Sequence, residues 1–172
     1  MDDCTVEFES DRLNMCLLTL DDAPFMQELL NSPGWKQYIG DRGIRSESHA
    51  RQYLRGVLLK GYLDWGFGYY AIRMKTSGQP VGICGFTEKK YLDHPDIGYA
   101  LLPQFTSRGF AIESTKACLE YGLKNHDINT VQAVVLKENH RSIKLLERLG
   151  FEHQNQVEHD GEELELYQKS NI

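Results

Sequence analysis

The feature that most constrains the fold is a strand–helix–strand series in the second half of the chain. Residues 96–102, DIGYALL, have the character of a strand, and residues 109–126 then show helical periodicity. Residues 130–136, TVQAVVL, are short, β-branched and almost continuously apolar, as is typical of a strand buried on both faces. Two strands joined by a crossover helix lie side by side and parallel. The sequence therefore predicts a parallel pair inside a larger sheet.

The remaining strand signals indicate antiparallel hairpins. GFGYYAIRM and PVGICGFTE are joined by the turn-rich KTSGQ, and two strands flank Asp160-Gly161 near the end of the chain. Residues 12–18 predict a first strand, followed by a helix with Thr19 as N-cap and a second helix in SESHARQYLRGVLLKG. The predicted order is β-α-α-β-β-β-α-β-α-β-β. This is an α/β class (α+β in some schemes), with a mixed, mostly antiparallel, twisted sheet of seven strands and four flanking helices.

Length and composition predict a single domain over residues 1–172. The chain is 41% hydrophobic and 26% charged, has no apolar run as long as a membrane span, and begins with an acidic segment unlike a secretory signal. We therefore expect a cytoplasmic protein without a membrane partner. The net charge of −6 argues against nucleic acid as a partner.

Cysteine and histidine spacing gives no metal signature. Four cysteines lie far apart without a Cys-x-x-Cys pair, which predicts reduced, mostly buried thiols. The six histidines lack ligand spacing, and although His153 and His159 could meet across a hairpin, no metal is expected. The four cysteines are Cys4, Cys16, Cys84 and Cys118.

Residues 103–114, PQFTSRGFAIES, open the crossover helix with a thinly shielded turn. The first N–H groups of a helix lack internal partners, so that phosphate is attracted to this end. Small side chains at Gly109 and Ala111 would let an anion approach the backbone, and Arg108 adds a charged donor. The alternative is an ordinary helix entry that needs glycine for its geometry. Neither a Gly-x-x-x-x-Gly-Lys-Ser/Thr loop nor a Gly-x-Gly-x-x-Gly fingerprint occurs, which disfavours a nucleotide-dependent enzyme.

A second strand–polar–helix junction follows in ENHRSIKLLERLGF. Asn139 comes just after the strand with an amide that can donate and accept, and Ser142 follows three residues later. Arg141 and Lys144 add positive charge. An N-cap on an amphipathic helix explains Asn139 equally well. Both junctions are predicted at the carboxyl end of the parallel strands, where α/β sheets bind ligands.

In these blocks the chain resembles the GCN5-related N-acetyltransferase (GNAT) superfamily, and more narrowly its ribosomal-protein-alanine N-acetyltransferase (RimJ/RimL-type) branch. The resemblance is carried by SDRLNMCLLTLDDAPFMQELLNSP, PVGICGF, DIGYALLPQFTSRGFAIES and NHRSIKLLERLGFE, in that order, and covers about residues 10–168. It implies an acetyl-CoA-dependent acyltransferase whose parallel strands splay to admit the pantetheine arm. The residues that it assigns to the coenzyme are Leu101, Leu102, Arg108, Gly109, Phe110, Ala111, Asn139 and Ser142.

The chain departs from the superfamily pattern at three positions. Thr106 stands where Gln or Arg opens the phosphate loop, and Ser107 stands where the branch often has Gly. Leu146 occupies the position of a Tyr that serves many members as general acid. Ser142 is the polar group left nearby, so it is the candidate donor to the leaving thiolate.

Amine acetylation needs a base, because amines are largely protonated near neutral pH. The candidate carboxylates are Glu158, which is favoured slightly, Asp96 and Glu88. The acceptor rim is predicted between the first two helices, with Trp35 and Tyr38 as contacts or, equally, as core caps.

We therefore expect an N-acetyltransferase that moves an acetyl group to a protein N-terminal α-amine or a small-molecule amine by direct attack in a ternary complex. Its partners are acetyl-CoA and the amine, and it acts as a monomer or homodimer. The alternative is a non-catalytic acyl-CoA-binding or regulatory module of the same fold.

Overall fold

One eight-stranded sheet runs through the computed structural model, which describes residues 4–171. The spatial order of its strands is β1-β2-β3-β4-β5-β6-β8-β7. In chain order the strands are β1 (Val6–Glu9), β2 (Leu13–Leu17), β3 (Tyr69–Met74), β4 (Pro80–Thr87), β5 (Asp96–Leu101), β6 (Thr130–Val135), β7 (Glu152–His159) and β8 (Glu162–Ser170).

Six α-helices connect and cover these strands. Short 3-10 turns at Leu20–Asp22 and Pro103–Phe105 precede α1 and α5, and a π-helical turn at Leu54–Leu58 separates α3 from α4. The helices are α1 (Ala23–Leu30), α2 (Pro33–Tyr38), α3 (Glu47–Tyr53), α4 (Lys60–Asp64), α5 (Phe110–His126) and α6 (His140–Arg148).

The predicted parallel pair is confirmed. Helix α5 carries the chain from β5 to β6, and these two strands are parallel, whereas the other neighbouring pairs are antiparallel. The predicted Asp160-Gly161 hairpin also forms between β7 and β8, with φ values of 51° and 80° at the two turn residues. Positive φ at both central positions is the requirement of the tightest hairpin turns, and Asp-Gly supplies it at low cost.

The sheet has one strand more than the sequence predicts, and this strand corrects the cysteine prediction. β1 pairs with β2, and the Leu17 N–H donates to the Thr5 carbonyl at 2.9 Å. This pairing brings Cys4 beside Cys16, and the two form a disulfide. The prediction of four reduced thiols is therefore wrong for this pair. Cys84 and Cys118 are free and buried, as predicted.

The N-terminal helices are more divided than predicted. Thr19 does cap a helical turn, with a reciprocal capping box to Asp22. Ser32 and Pro33 end the first helix but also start α2, because Pro suits the first turn and the Ser hydroxyl caps the Trp35 N–H. In the next helix the π turn alters the helical spacing, and the side chain of Val57 in this turn is 53% exposed.

The core lies between the sheet and its helices. On one face α5 packs closely on β4, where Gly122 lies against the Phe86 ring and Cys118 lies over Cys84. Among the described residues, no helix combines the length and apolar character that crossing a bilayer requires. Within residues 4–171, no three His, Cys, Asp or Glu side chains cluster as metal ligands would.

Candidate active site

A gap opens between the two parallel strands. β5 and β6 share one ladder pairing, Asp96 with Gln132, and residues 4–171 contain no other pairing between these strands. β6 continues to pair along its whole length with β8 on its other side. Beyond Asp96 the inner edge of β5, residues 98–101, is half-buried rather than covered. The backbone groups on this edge are therefore available to a ligand that enters the gap.

Asp96 fastens the closed end of the gap. Its carboxylate is buried, accepts a hydrogen bond from the Val134 N–H at 3.3 Å and pairs with Lys89 Nζ at 2.9 Å. Burial raises the pKa of Asp96, although the Lys89 charge and the Val134 hydrogen bond oppose this shift. Both oxygens of this carboxylate are thus engaged in holding β5, β6 and the β4–β5 connection together.

The open end of the gap leads to the loop between β5 and α5, which we call the glycine loop (residues 106–111). The chain turns through positive φ at Ser107 (62°) and Gly109 (80°) before α5 begins. The N–H groups of residues 107–112 have no hydrogen-bond partner among residues 4–171. Six consecutive amides without internal partners, at the positive end of a 17-residue helix, have the donors and the dipole that would attract an anion.

The glycine loop is held from behind by Arg12, which precedes β2. Both terminal nitrogens of Arg12 donate to the carbonyl oxygen of Arg108 at 3.2 Å. The same guanidinium pairs with Glu113 at 2.6 Å, and Glu113 also accepts from the Ser10 hydroxyl and the Arg12 N–H. Burial opposes ionisation of Glu113, but these hydrogen bonds outweigh it and lower its pKa.

Positive charge surrounds the same loop. The guanidinium groups of Arg12 and Arg108 lie 4.5 and 5.1 Å from the centre of the buried Phe110 ring. Arg141 of α6 donates to the Ser107 hydroxyl at 2.8 Å, so the two helix starts are linked. Arginine suits an anion site because its charge is permanent and its donors are fixed in a plane.

The start of α6 forms the other wall of the gap. Asn139 is the N-cap, and its side-chain oxygen accepts from the Ser142 N–H at 3.3 Å. Its amide nitrogen has no partner within residues 4–171 and can still donate. The Ser142 hydroxyl lies 2.9 Å from the hydroxyl of Tyr99 on β5. Sequence reasoning missed Tyr99, although the alternation in DIGYALL places it with Ile97 on one face of the strand.

The hairpin of β7 and β8 approaches the closed end of the gap. Its His159 ring stacks on Tyr91 of the β4–β5 connection, with ring centres 4.1 Å apart. Tyr91 in turn lies near Lys89, the partner of Asp96. Glu158 is the exposed residue before His159 on β7.

Other predicted site residues are more dispersed. Trp35 is only 7% exposed, which favours the core alternative, although its indole N–H has no partner among the described residues. Tyr38 is half-buried at the end of α2. Leu101 is half-buried at the end of β5, whereas Leu102 is buried and its N–H donates to the Val81 carbonyl. Glu88 is exposed at the end of β4.

A cavity lies beside the segment between the first two predicted helices, where the acceptor rim was expected. It has a volume of about 470 Å³ and lies between α1 and the segment that follows α2. One of its lining residues, Glu28, accepts a hydrogen bond from Gln104, which lies just before the glycine loop. The lining residues are Pro24, Gln27, Glu28, Asn31, Ile44 and Arg45.

Comparison with known proteins agrees with this geometry. The profile of the acetyltransferase (GNAT) domain matches residues 12–152, which is most of the chain. The chain belongs to the GNAT acetyltransferase family. An uncharacterized N-acetyltransferase of Bacillus licheniformis, p20, is 28% identical over 147 residues, covering 83% of this chain and 80% of its own.

Two solved structures show how closely this GNAT chain follows the family fold. The acetyltransferase of Agrobacterium tumefaciens C58 superposes with a TM-score of 0.79 at 21% identity, covering 94% of this chain and 92% of its own. RimL, a ribosomal L7/L12 α-N-protein acetyltransferase solved in complex with coenzyme A, gives a TM-score of 0.80 at 18% identity, covering 94% and 95%. At these identities the likeness establishes a shared fold.

Proposed function

We propose that this chain is an acetyl-CoA-dependent N-acetyltransferase of the RimJ/RimL type that acts on a primary amine in the cytoplasm. The observation that carries the proposal is the row of unpartnered amides at residues 107–112, set at the open end of the gap between β5 and β6. Family membership supports an acetyltransferase, and the fold shared with RimL, which was solved with coenzyme A, supports the coenzyme.

The residues of this structure fit the diphosphate of coenzyme A. A diphosphate needs several donors in a concave backbone, which the glycine loop supplies, and positive charge, which Arg108 and Arg141 supply. Phe110 and Ala111 begin α5 and contribute N–H groups rather than side chains. The free edge of β5 up to Leu101 would hold the pantetheine amides, as a neighbouring strand would. Leu102 was assigned to the coenzyme as well, but its N–H and carbonyl are already bonded to Val81 and Phe105. The amide nitrogen of Asn139 would donate to the same arm.

When bound, acetyl-CoA supplies an acetyl thioester that a neutral amine can attack directly. The residues of the chain bind the coenzyme, hold the amine and move the protons. Ser142, at the first turn of α6, is our candidate donor to the sulfur as negative charge develops there. Leu146 stands where many family members have a tyrosine as general acid. It is buried, and its side chain has no acidic proton to donate.

For the base we favour Glu158 over Asp96. Both oxygens of Asp96 are engaged, and abstraction of a proton would break the Lys89 pair at the closed end of the gap. Glu158 is exposed and lies on the hairpin that faces the same end. The negative charge of Glu158 would also favour a cationic acceptor. Tyr38 is the better candidate than the buried Trp35 for a contact to that acceptor.

Thermal melting with two related ligands tests the coenzyme site. Acetyl-CoA at about 100 times its dissociation constant stabilises by about 2.7 kcal/mol, which corresponds to roughly 5–10 °C for a chain of this size. S-acetylpantetheine carries the same thioester without the diphosphate, so we expect no shift at the same concentration. Equal shifts for both ligands, or none for acetyl-CoA, would exclude the glycine loop as a diphosphate site.

A thiol-release assay over N-terminal peptides and small amines then tests for an enzyme. Release of CoA with at least one amine supports acetyl transfer. Stabilisation by acetyl-CoA without release across the whole panel would favour the alternative, a non-catalytic acyl-CoA-binding module.

The role of Glu158 can be tested on any amine that reacts. We expect Glu158→Gln to lower kcat by about 100-fold, within the usual range for a general base, and to remove the acid limb of the pH–rate profile. Glu162→Gln, which changes an exposed glutamate of the same hairpin, is the control. It should keep the wild-type kcat and the acid limb of the pH–rate profile. If Glu158→Gln keeps the acid limb, the base is another group or water.

A further inference from the structure

Two hydroxyl groups meet across the gap between β5 and β6. The Tyr99 oxygen on β5 and the Ser142 Oγ on α6 are 2.9 Å apart, within the range of an O–H···O hydrogen bond. Neither hydroxyl has another partner among residues 4–171. The two side chains therefore form a bridge between opposite walls of the gap.

Both ends of this bridge are rigidly placed. Tyr99 pairs with Cys84 in the ladder between β4 and β5, so the sheet fixes its backbone on the side away from the gap. Ser142 is fixed by the Asn139 cap at the start of α6. Groups held in this way need little reorganisation when charge develops near them.

The chemistry of the two hydroxyls sets the direction of the hydrogen bond. A phenol is more acidic than an aliphatic alcohol, so the Tyr99 O–H is the better donor and the Ser142 oxygen the better acceptor. Burial raises the pKa of Tyr99, against the lowering effects of Ser142 and Arg141, so the phenol keeps its hydrogen at neutral pH. The Ser142 hydrogen is then left to point elsewhere.

We propose that Tyr99 is a positioning residue for acetyl transfer, which donates to Ser142 Oγ and so turns the Ser142 O–H toward the sulfur of the bound coenzyme. The proposal rests on the proposed function. Ser142 donates its hydrogen bond while the amine nitrogen bonds to the acetyl carbon, the carbon–sulfur bond breaks and its electron pair passes to sulfur. Tyr99 and Ser142 keep their protons. The proton released by the amine leaves through Glu158, and the thiolate takes its proton from solvent.

The acidity of the thiol of bound CoA tests this proposal without an acceptor amine. The thiolate absorbs in the ultraviolet, and complexes with desulfo-CoA supply the baseline for the protein at each pH. A free thiol has a pKa of about 8.5, and a hydrogen bond to the thiolate lowers it. In the wild type we expect a value about one unit lower than that of free CoA.

Three variants and one control separate positioning from packing. We expect Tyr99→Phe and Ser142→Ala each to restore the thiol pKa to within about 0.3 units of free CoA, since either change removes the oriented O–H. The double variant should equal Ser142→Ala, because Tyr99 acts through Ser142. Tyr121→Phe removes a tyrosine hydroxyl that bonds Glu7 on β1 and should leave the thiol pKa at the wild-type value. At pH 7, where the thiol is mostly protonated, dissociation constants for CoA should stay within threefold in all variants.

The outcomes separate a failure of the proposed function from a failure of the role proposed for Tyr99. If wild-type protein binds no CoA, the proposed function itself fails. If CoA binds and Tyr99→Phe leaves the thiol pKa unchanged, or changes it further in the Ser142→Ala background, the positioning role of Tyr99 is wrong. If Tyr99→Phe does not fold, an unchanged thiol pKa in Ser142→Ala still overturns the proposal, because it removes the group through which Tyr99 is proposed to act.

Discussion

At the scale of single residues, Arg12 ties the glycine loop to the sheet. It donates to the Arg108 carbonyl and pairs with Glu113, which lies one turn into α5. With its carbonyl held from behind, the loop presents its amides to the opposite side. A loop that is held in one shape by such bonds loses less conformational freedom when a ligand binds.

We expect Arg12→Ala to weaken acetyl-CoA binding about tenfold, which is about 1.4 kcal/mol, measured by calorimetric titration. The affinity of Arg12→Lys for acetyl-CoA should lie between those of the wild type and Arg12→Ala, because an ammonium restores the charge but not the planar set of donors. Arg45→Ala is the matched control. Arg45 also pairs with a carboxylate, Asp41, but it is exposed and its side-chain hydrogen bonds go to Asp41 rather than to the glycine loop. Unchanged affinity in Arg12→Ala would show that the loop keeps its shape unaided.

Glu113 should make stability depend on pH in the acid range. Its pKa in the folded chain is lowered, whereas an unfolded glutamate titrates near 4.3, so the unfolded chain binds the proton more tightly. Stability from Glu113 is therefore present above about pH 4.3 and lost as pH falls through the lower folded value. We expect Glu113→Gln to lose less stability than the wild type between pH 6 and pH 3, measured by urea unfolding.

The control for this titration is Glu120→Gln in the same helix. Glu120 is exposed and forms no ion pair within residues 4–171. The stability of the Glu120→Gln variant should change with pH as that of the wild type does. If Glu113→Gln loses as much stability as the wild type does, the Arg12 pair contributes nothing to folding.

At the scale of elements, the sequence predicts those features that a short stretch of chain determines. Asp160-Gly161 predicts its hairpin because the turn needs positive φ at adjacent positions, and Thr19 predicts a helix start because its hydroxyl caps locally. β1 was missed because VEFE is short and mostly exposed, so that its pairing with β2 and the stacking of Phe8 on Tyr121 decide its state. The Cys4–Cys16 disulfide depends on that strand and was missed with it.

The candidate site likewise combines features that one short stretch of chain determines with features that depend on distant residues. Gly109 and its free amides belong to one loop and were predicted from the residues themselves. The gap was expected only from the family resemblance, because no residue pattern in β5 or β6 indicates where pairing stops. The contact between Tyr99 and Ser142 joins positions 43 residues apart and depends on how the gap is shaped. Local patterns carry no information about such a contact.

The packing of α5 on β4 gives a test at this scale. A methyl group at Gly122 would lie 2.8 Å from the Phe86 ring, so the helix or the ring must move. Overpacking costs about 1–3 kcal/mol, and the better helix propensity of Ala returns about 1 kcal/mol. We expect Gly122→Ala to lower the free energy of unfolding by about 1 kcal/mol, measured with urea.

Gly56→Ala is the matched control for Gly122→Ala. A methyl group at Gly56 meets no atom within 4 Å, so this change should leave stability unaltered or raise it by up to about 1 kcal/mol. Equal effects of the two substitutions would mean that the α5–β4 contact adjusts without cost.

At the scale of the whole molecule, the sheet consists of two parts that meet at one ladder pairing. Strands β1–β5 form one part and β6–β8 the other, and Asp96 with Gln132 joins them at the closed end of the gap. Helix α5 provides the covalent connection, and the Arg141–Ser107 and Tyr99–Ser142 contacts are side-chain links across the opening. A ligand in the gap therefore adds contacts between parts that the free protein joins sparsely.

Hydrogen exchange should report this added coupling in three places at once. With saturating acetyl-CoA we expect at least tenfold slower exchange for the amides of residues 98–101 on β5, of the glycine loop and of the first turn of α6. S-acetylpantetheine, raised to a concentration high enough to occupy the gap, should slow exchange on β5 but not in the glycine loop, because it has no diphosphate to accept from those amides. The β7–β8 hairpin amides, paired already in the free protein, serve as the internal control and should not change. Protection confined to the glycine loop would place the coenzyme outside the gap. Protection of β5 alone by both ligands would mean that the diphosphate does not bind the amides of the glycine loop.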